Sequence, residues 1–297
     1  VYKRKVFKIK RENMMTEEIV TGERIQTFGN IYIGTRELFN RKFNINKNLC
    51  LDIRDIQNPF HNPSVIFLYP DVLGYFAKIL HYFKHPFILI THNSDILITQ
   101  EPQNEHILQH PMVVHWFAVN VNYQHPKLHP LPIGIANQQW EHGNLANFTP
   151  IFSTLPFLKK EGIYMNFTVN TARLQREKCK KICESKGIVF QEQLAPKDYL
   201  VSLSQHKYCI CPEGNGTDTH RLWECLYLKT VPILLNTTFS RILCERFKIP
   251  VIMLDSWDSL KIEELPDYSS FDFDIDCLRM SWLREHIFET DKNVHKY

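Results

Sequence analysis

The second half of the chain alternates short apolar runs with stretches of helical spacing. Residues 163–167 (IYMNF), 188–192 (IVFQE), 208–211 (YCIC), 231–235 (VPILL) and 250–254 (PVIML) read as buried strands. Between them, residues 172–185, 198–206, 220–228 and 240–247 place apolar positions three and four apart, which predicts helices; Lys186 and Gly187 end the first. The first half is less regular. Residues 1–30 are polar and poorly periodic, an arm or irregular lead-in, after which 31–34, 49–53, 65–68 and 87–91 read as strands and 73–83 as a helix. The apolar segment 113–121 fits either type. Residues 126–147 are broken by Pro126, Pro130, Pro132, Gly134 and Gly143 and read as a partly extended crossing, with a boundary expected near 145–160. Residues 276–289 read as a last helix.

Strand–helix alternation of this kind builds parallel sheets, so the expected fold class is α/β with two domains, 1–150 and 151–275, followed by a terminal segment 276–297. The chain of 297 residues is long enough for that, and 44% hydrophobic with 23% charged residues is the balance of a globular protein. A net charge of +3 does not argue for a nucleic-acid partner. The basic cluster Lys3, Arg4, Lys5, Lys8, Lys10 and Arg11 reads as a solvated tail, with a membrane or polyanion contact as its alternative.

No apolar stretch approaches the roughly 18–20 residues that span a bilayer, and the start of the chain has no secretory apolar region. None of the eight cysteines makes a C-x₂-C pair, so buried thiols are expected and zinc is not. Asn-x-Thr sequons occur at Asn147, Asn166, Asn215 and Asn236. A glycan on Asn215 blocks the loop described next, which together with the free thiols points to a cytoplasmic location.

The stretch that organises the chemistry is 208–235, a strand, loop, helix and strand in sequence. Ligands of such units sit beyond the carboxyl ends of the strands. The loop Pro212, Glu213, Gly214, Asn215, Gly216, Thr217 and Asp218 falls there. Its glycines let the backbone approach a ligand closely, and Thr217, Asp218 or Thr219 can cap the helix that follows. A helix start attracts phosphate, and Arg221 in the first turn adds a fixed positive fork. Glu224, three residues on, shares that side and can hold ribose hydroxyls. The bland alternative for Arg221 and Glu224 is a surface ion pair.

The sequence PEGNGTDTHRLWE followed by VPI resembles the C-terminal signature of exostosin-type glycosyltransferases, above all the short microbial and viral members. The stretches FILITHNSD, HPLPIGIANQQWEHGN and IYMNFTVNTARLQRE are similar to that group as well, so the likeness covers roughly residues 60–255. The resemblance implies two Rossmann-like domains facing a cleft, the GT-B fold. It also implies inverting transfer of a sugar from a nucleotide diphosphate, typically a UDP-sugar with UDP-xylose one option, to a glycan or glycoprotein acceptor. No cofactor and no catalytic metal are expected. Animal members are Golgi membrane proteins, and this chain departs from them; the implied setting is the cytosol of a microbe or an infected host cell.

Within that resemblance Asn166, Thr168 and Arg173, after the first strand of the second half, are expected to add phosphate contacts, Arg173 ahead of Arg176. The alternative is a solvated helix face. Inversion needs a general base from the first half. Asp95 is the first candidate and His92 its partner or alternative, although Asp95 can equally cap a helix and His92 can equally be structural. Glu141 and His142 come next. Asp272, Asp274 and Asp276 alternate as they would along one face of a strand and suit Mg²⁺ or Mn²⁺, but they follow all the nucleotide-fold elements, so a solvated acidic run is the expectation. The competing function is a non-catalytic nucleotide- or glycan-binding module of the same fold.

Overall fold

A computed structural model describes residues 16–41, 45–58, 64–152 and 160–292. The basic cluster at residues 3–11 lies outside the described residues. The chain is α/β, with one six-stranded and one four-stranded sheet, both parallel, an architecture compatible with Rossmann-like units. It divides into a first unit, Val20–Ile133 with the residues from Arg279, and a second, Gly134–Leu278 with residues 16–19. Among the described residues no helix is long and apolar enough to cross a membrane.

In chain order the first unit holds α1 (Gly22–Gln26), β1 (Ile31–Gly34), α2 (Arg36–Asn40), β2 (Cys50–Asp52), β3 (Val65–Leu68), α3 (Leu73–Ile79), β4 (Phe87–Thr91), α4 (Pro102–Gln109), β5 (Val113–Ala118) and β6 (Leu128–Pro130). Every residue of β3 and β4 is buried, as strands covered on both faces must be. The strand order is β2-β1-β3-β4-β5-β6, so the chain reverses its direction of travel across the sheet between β1 and β3. Ligands of open parallel sheets bind beyond the strand ends at such a reversal.

Two expectations change here. The polar lead-in contains α1, which Thr21 caps by accepting the Arg24 N–H at 3.3 Å, with Ile19, Val20 and Ile25 buried around it. The proline-rich crossing contains β6, which pairs with β5 at the edge of the sheet, the position that tolerates Pro130. Because β6 belongs to the first sheet, the division falls between Ile133 and Gly134, ahead of the expected 145–160.

The second unit holds α5 (Thr149–Phe152), β7 (Lys160–Tyr164), α6 (Arg173–Ser185), α7 (Pro196–Ser204), β8 (His206–Ile210), α8 (His220–Tyr227), β9 (Val231–Leu235), α9 (Thr238–Phe247) and β10 (Ile252–Leu254), with sheet order β10-β9-β8-β7. The expected strand at 188–192 is not one. Its backbone ties to the end of β7 through one bond, Gln191 N–H to the Met165 carbonyl at 2.8 Å, while Phe190 packs edge-on to Phe167. The apolar residues there fill a core position without joining the ladder. Residues 272–276 are not a strand either: the Asp274 N–H turns back to the Asp272 carboxylate at 2.9 Å, and all three aspartates are exposed.

The last helix, α10 (Met280–Lys292), supplies Leu283 and Ile287 to the core of the first unit, where both are wholly buried among residues such as Phe28, Ile90 and Phe117. Leu283→Ala is therefore expected to lower stability by about 2–5 kcal/mol. A urea transition unchanged from that of the parent protein contradicts this assignment.

Candidate functional site

The glycine loop lies where the spacing placed it, between β8 and α8. What surrounds it differs from the expectation. Gly214 sits between the starts of two helices. A Cβ at Gly214 would lie 3.5 Å from Thr219, the residue before α8, and 3.7 Å from Thr171, just ahead of α6. The same atom would lie 3.1 Å from the Arg176 guanidinium. Neither helix start has a side-chain cap: Thr219 precedes α8 with no capping bond, and Ala172 precedes α6 in a left-handed conformation at φ 48°. Asp218, an expected cap, instead accepts the Trp223 indole N–H at 2.8 Å. Two uncapped helix starts, each worth roughly half a positive charge, thus converge on one loop.

Two guanidinium groups add to that charge. Arg176 is buried and donates to the carbonyls of Glu213 at 2.8 Å, Thr168 at 2.9 Å and Pro212 at 3.4 Å. Burial, with the charge of Arg221 behind it, brings its pKa down to about 10, so it stays charged at neutral pH. Arg221 is partly buried, and its Nε is closed to solvent with no hydrogen-bond partner. Its guanidinium lies 5.8 Å from the Tyr199 ring centre and 6.0 Å from that of Phe167. Burial pulls its pKa down, but Tyr199, Cys209, Cys211 and Glu224 hold it above the usual guanidinium value. No ion pair to a carboxylate within 4.0 Å involves Arg176 or Arg221 among the described residues, so the surface-pair alternative for Arg221 and Glu224 is absent.

Glu224 is buried, and one carboxylate oxygen accepts the Tyr199 hydroxyl at 2.8 Å. A carboxylate has a second oxygen with lone pairs to spare, able to accept from a ligand hydroxyl. Glu213 is partly buried and accepts the Thr237 hydroxyl at 3.4 Å. Thr217 and Glu213 line a cavity of about 20 Å³, room for a water and not for a nucleotide. Asn215 is exposed, while Pro212 and Gly216 are buried.

The residues expected to contact phosphate are placed differently from the expectation. Arg173 is exposed and paired with Glu177 at 2.7 Å, four residues on. Arg176, ranked behind it, is the arginine that reaches the loop. Its spacing to Cys179 and Cys183 puts it on the buried stripe of the helix, a signal available in the sequence. Asn166 is buried and spends its amide on the carbonyls of Glu192 at 2.6 Å and Gln191 at 3.3 Å, which makes it a tether for the 188–192 segment. Thr168 is exposed, and its carbonyl serves Arg176.

In the first unit, Asp95 is exposed and lines a pocket of about 480 Å³ together with Leu38, Arg41, Asp71, Asn93 and Ser94. These residues follow β1, β3 and β4, so the pocket lies at the reversal of strand order, and its size is that of a small-molecule site. His92 does not share that availability. It is buried, its Nδ1 accepts the Asn93 N–H at 2.8 Å, and its Nε2 donates to the Pro132 carbonyl at 3.0 Å. Both nitrogens are engaged, a structural role. Glu141 lies in the second unit on an exposed turn, Glu141–Gly143, between Trp140 and His142, whose rings are near-parallel at 6.3 Å. His142 is 6.2 Å from His220 at the start of α8.

Glu213 carries a testable consequence. Burial raises its carboxyl above the usual value. A raised carboxyl favours the fold below its unfolded pKa and loses that contribution as pH rises through the folded one. Glu213→Gln is therefore expected to be more stable than the parent at about pH 7 and to lose that advantage below about pH 4. A stability difference independent of pH, read from urea midpoints, contradicts it.

Compared with protein-family models and with curated proteins, the chain matches none.

Proposed function

We propose that this protein is an inverting glycosyltransferase that takes a sugar from a nucleoside diphosphate, with the two parallel-sheet units as the halves of a GT-B enzyme. The observation that supports the reading most is the convergence on Gly214 of two uncapped helix starts, with the Arg176 guanidinium beside them. A diphosphate supplies the oxygens that the free N–H groups of such helix starts lack. In this reading Arg221 and the helix starts carry the charge of the leaving nucleotide, so the transfer needs no metal. Arg176 shapes the loop, and Glu224, oriented by Tyr199, accepts the ribose hydroxyls. A UDP-sugar is the proposed donor and a glycan hydroxyl the proposed acceptor. The free thiols motivate a cytosolic setting.

Asp95 is the proposed base. With Asp71 it is one of two exposed carboxylates lining a pocket at the strand-order reversal, whereas both His92 nitrogens are occupied. Glu141, exposed beside Trp140, is the next candidate.

Thermal unfolding against UDP, GDP and a panel of nucleotide sugars tests the donor half. One nucleotide family at a hundred times its dissociation constant should add about 2.7 kcal/mol, a shift of a few degrees, unchanged by added magnesium. Absence of a shift with every nucleotide removes the donor site and favours a module with another ligand. Asp95→Asn should keep the shift and lose nearly all turnover with the sugar that binds. Retained turnover moves the base to Glu141.

A further inference from the structure

A second cluster of chemical groups lies behind the loop and takes no part in the proposed transfer. Cys209 and Cys211 occupy alternate positions at the end of β8 and so face the same side, where Cys225 of α8 meets them. The three sulfur atoms all lie within 4.8 Å of one another, and the Cys211 and Cys225 sulfurs are 3.7 Å apart. All three residues are buried, at 0%, 3% and 0% exposure. Three thiolates around one cation with metal–sulfur bonds of about 2.3 Å have sulfur–sulfur edges of roughly 3.8–4.0 Å. The cluster therefore needs only small adjustments to close on a metal ion.

Charge selects the ion. Arg221 is a neighbouring cation, and no carboxylate lies within 4.0 Å of its guanidinium among the described residues. A divalent ion with three thiolates carries one net negative charge, and the surrounding groups, the cations Arg221 and Arg176 with the anion Glu224, carry one net positive charge that cancels it. Three thiolates alone, or three with a monovalent ion, leave a net charge buried at high cost. Sulfur ligands select a soft ion over magnesium or calcium. No histidine or carboxylate joins the group among the described residues, so the ion is held by sulfur alone. The C-x-C spacing on a strand, completed from a helix, differs from the C-x₂-C pairs by which zinc sites are recognised in sequences.

We propose that Cys209, Cys211 and Cys225 form a closed three-sulfur site for a thiophilic divalent cation of the zinc and cadmium class, which staples β8 to α8 beneath the glycine loop. On binding, each thiol that coordinates gives its proton to solvent, and no oxidant or reductant is consumed. The site shares Arg221 with the proposed donor loop but needs no nucleotide, so metal binding and nucleotide binding are read out separately.

The reduced full-length protein, stripped of metal under mild denaturant and returned to buffer with Cd²⁺, should show the near-ultraviolet thiolate-to-cadmium absorption with a plateau at one ion per chain. Zn²⁺ should displace that absorption, and the loaded protein should unfold at a higher temperature. Cys225→Ser and Cys211→Ala should each abolish the stoichiometric plateau, whereas Cys50→Ser and Cys244→Ser, at partly exposed positions outside the cluster, should leave it intact. The wild-type titration keeps the proposal testable even if a cluster variant fails to fold. No plateau at one ion overturns it, as does a plateau that survives in a folded Cys225→Ser or Cys211→Ala protein. A disulfide between Cys211 and Cys225 in protein purified without reductant, persisting when Cd²⁺ is present, overturns it as well.

Discussion

The second unit depends on one buried cation. The Arg176 guanidinium donates to the carbonyls of Thr168, Pro212 and Glu213, and so binds the turn after β7 to the turn after β8. A buried charge without a carboxylate partner is costly, and three aligned carbonyl dipoles offset that cost only while both turns keep their shape. The glycine loop is therefore held by an interaction that carries no net negative charge into the site. The positive potential of the two helix starts is left unspent. Arg221 is a second such cation: its guanidinium lies over the rings of Tyr199 and Phe167, and its buried Nε has no hydrogen-bond partner.

The first unit shows a different economy. Its pocket at the strand-order reversal is open and mixed in character, with Arg41, Asp71 and Asp95 at the rim. The polar residues nearest the sheet are spent on structure. His92 and Asn93 bond to each other, to the Pro132 carbonyl and to Gly22, and Asn93 adopts a left-handed conformation at φ 63° to do so. A side chain at Gly22 would collide with Asn93, so the glycine is part of the same arrangement. Asp95, two residues on, stands clear of that network and keeps its carboxylate in solvent.

The strands most legible in the sequence were those with continuous apolar runs: 65–68, 87–91 and 231–235 are strands with those bounds. Burial on both faces leaves no other reading for such runs. Residues 188–192 open with a similar apolar triplet before Gln191 and Glu192, but what decides a strand is a partner for its backbone, and Asn166 takes the carbonyls there. The loop and helix of 212–227 were legible because glycines and helical spacing are local signals; the expected cap was not, since Thr219 makes no capping bond. Which arginine enters the site was not, because Arg173 and Arg176 differ in burial rather than in type; only the register with Cys179 and Cys183 separates them. The thiol cluster was invisible for a related reason, since Cys225 joins Cys209 and Cys211 only once α8 has packed on β8.

Whether the charge gathered around Gly214 holds a diphosphate, as proposed, is measured most directly by calorimetric titration of uridine, UMP and UDP. Affinity should climb with each phosphate, weaken as salt is added, and lose its dependence on phosphate number in Arg221→Met. Uridine binding as tightly as UDP, or a phosphate gain undiminished in Arg221→Met, would contradict the account.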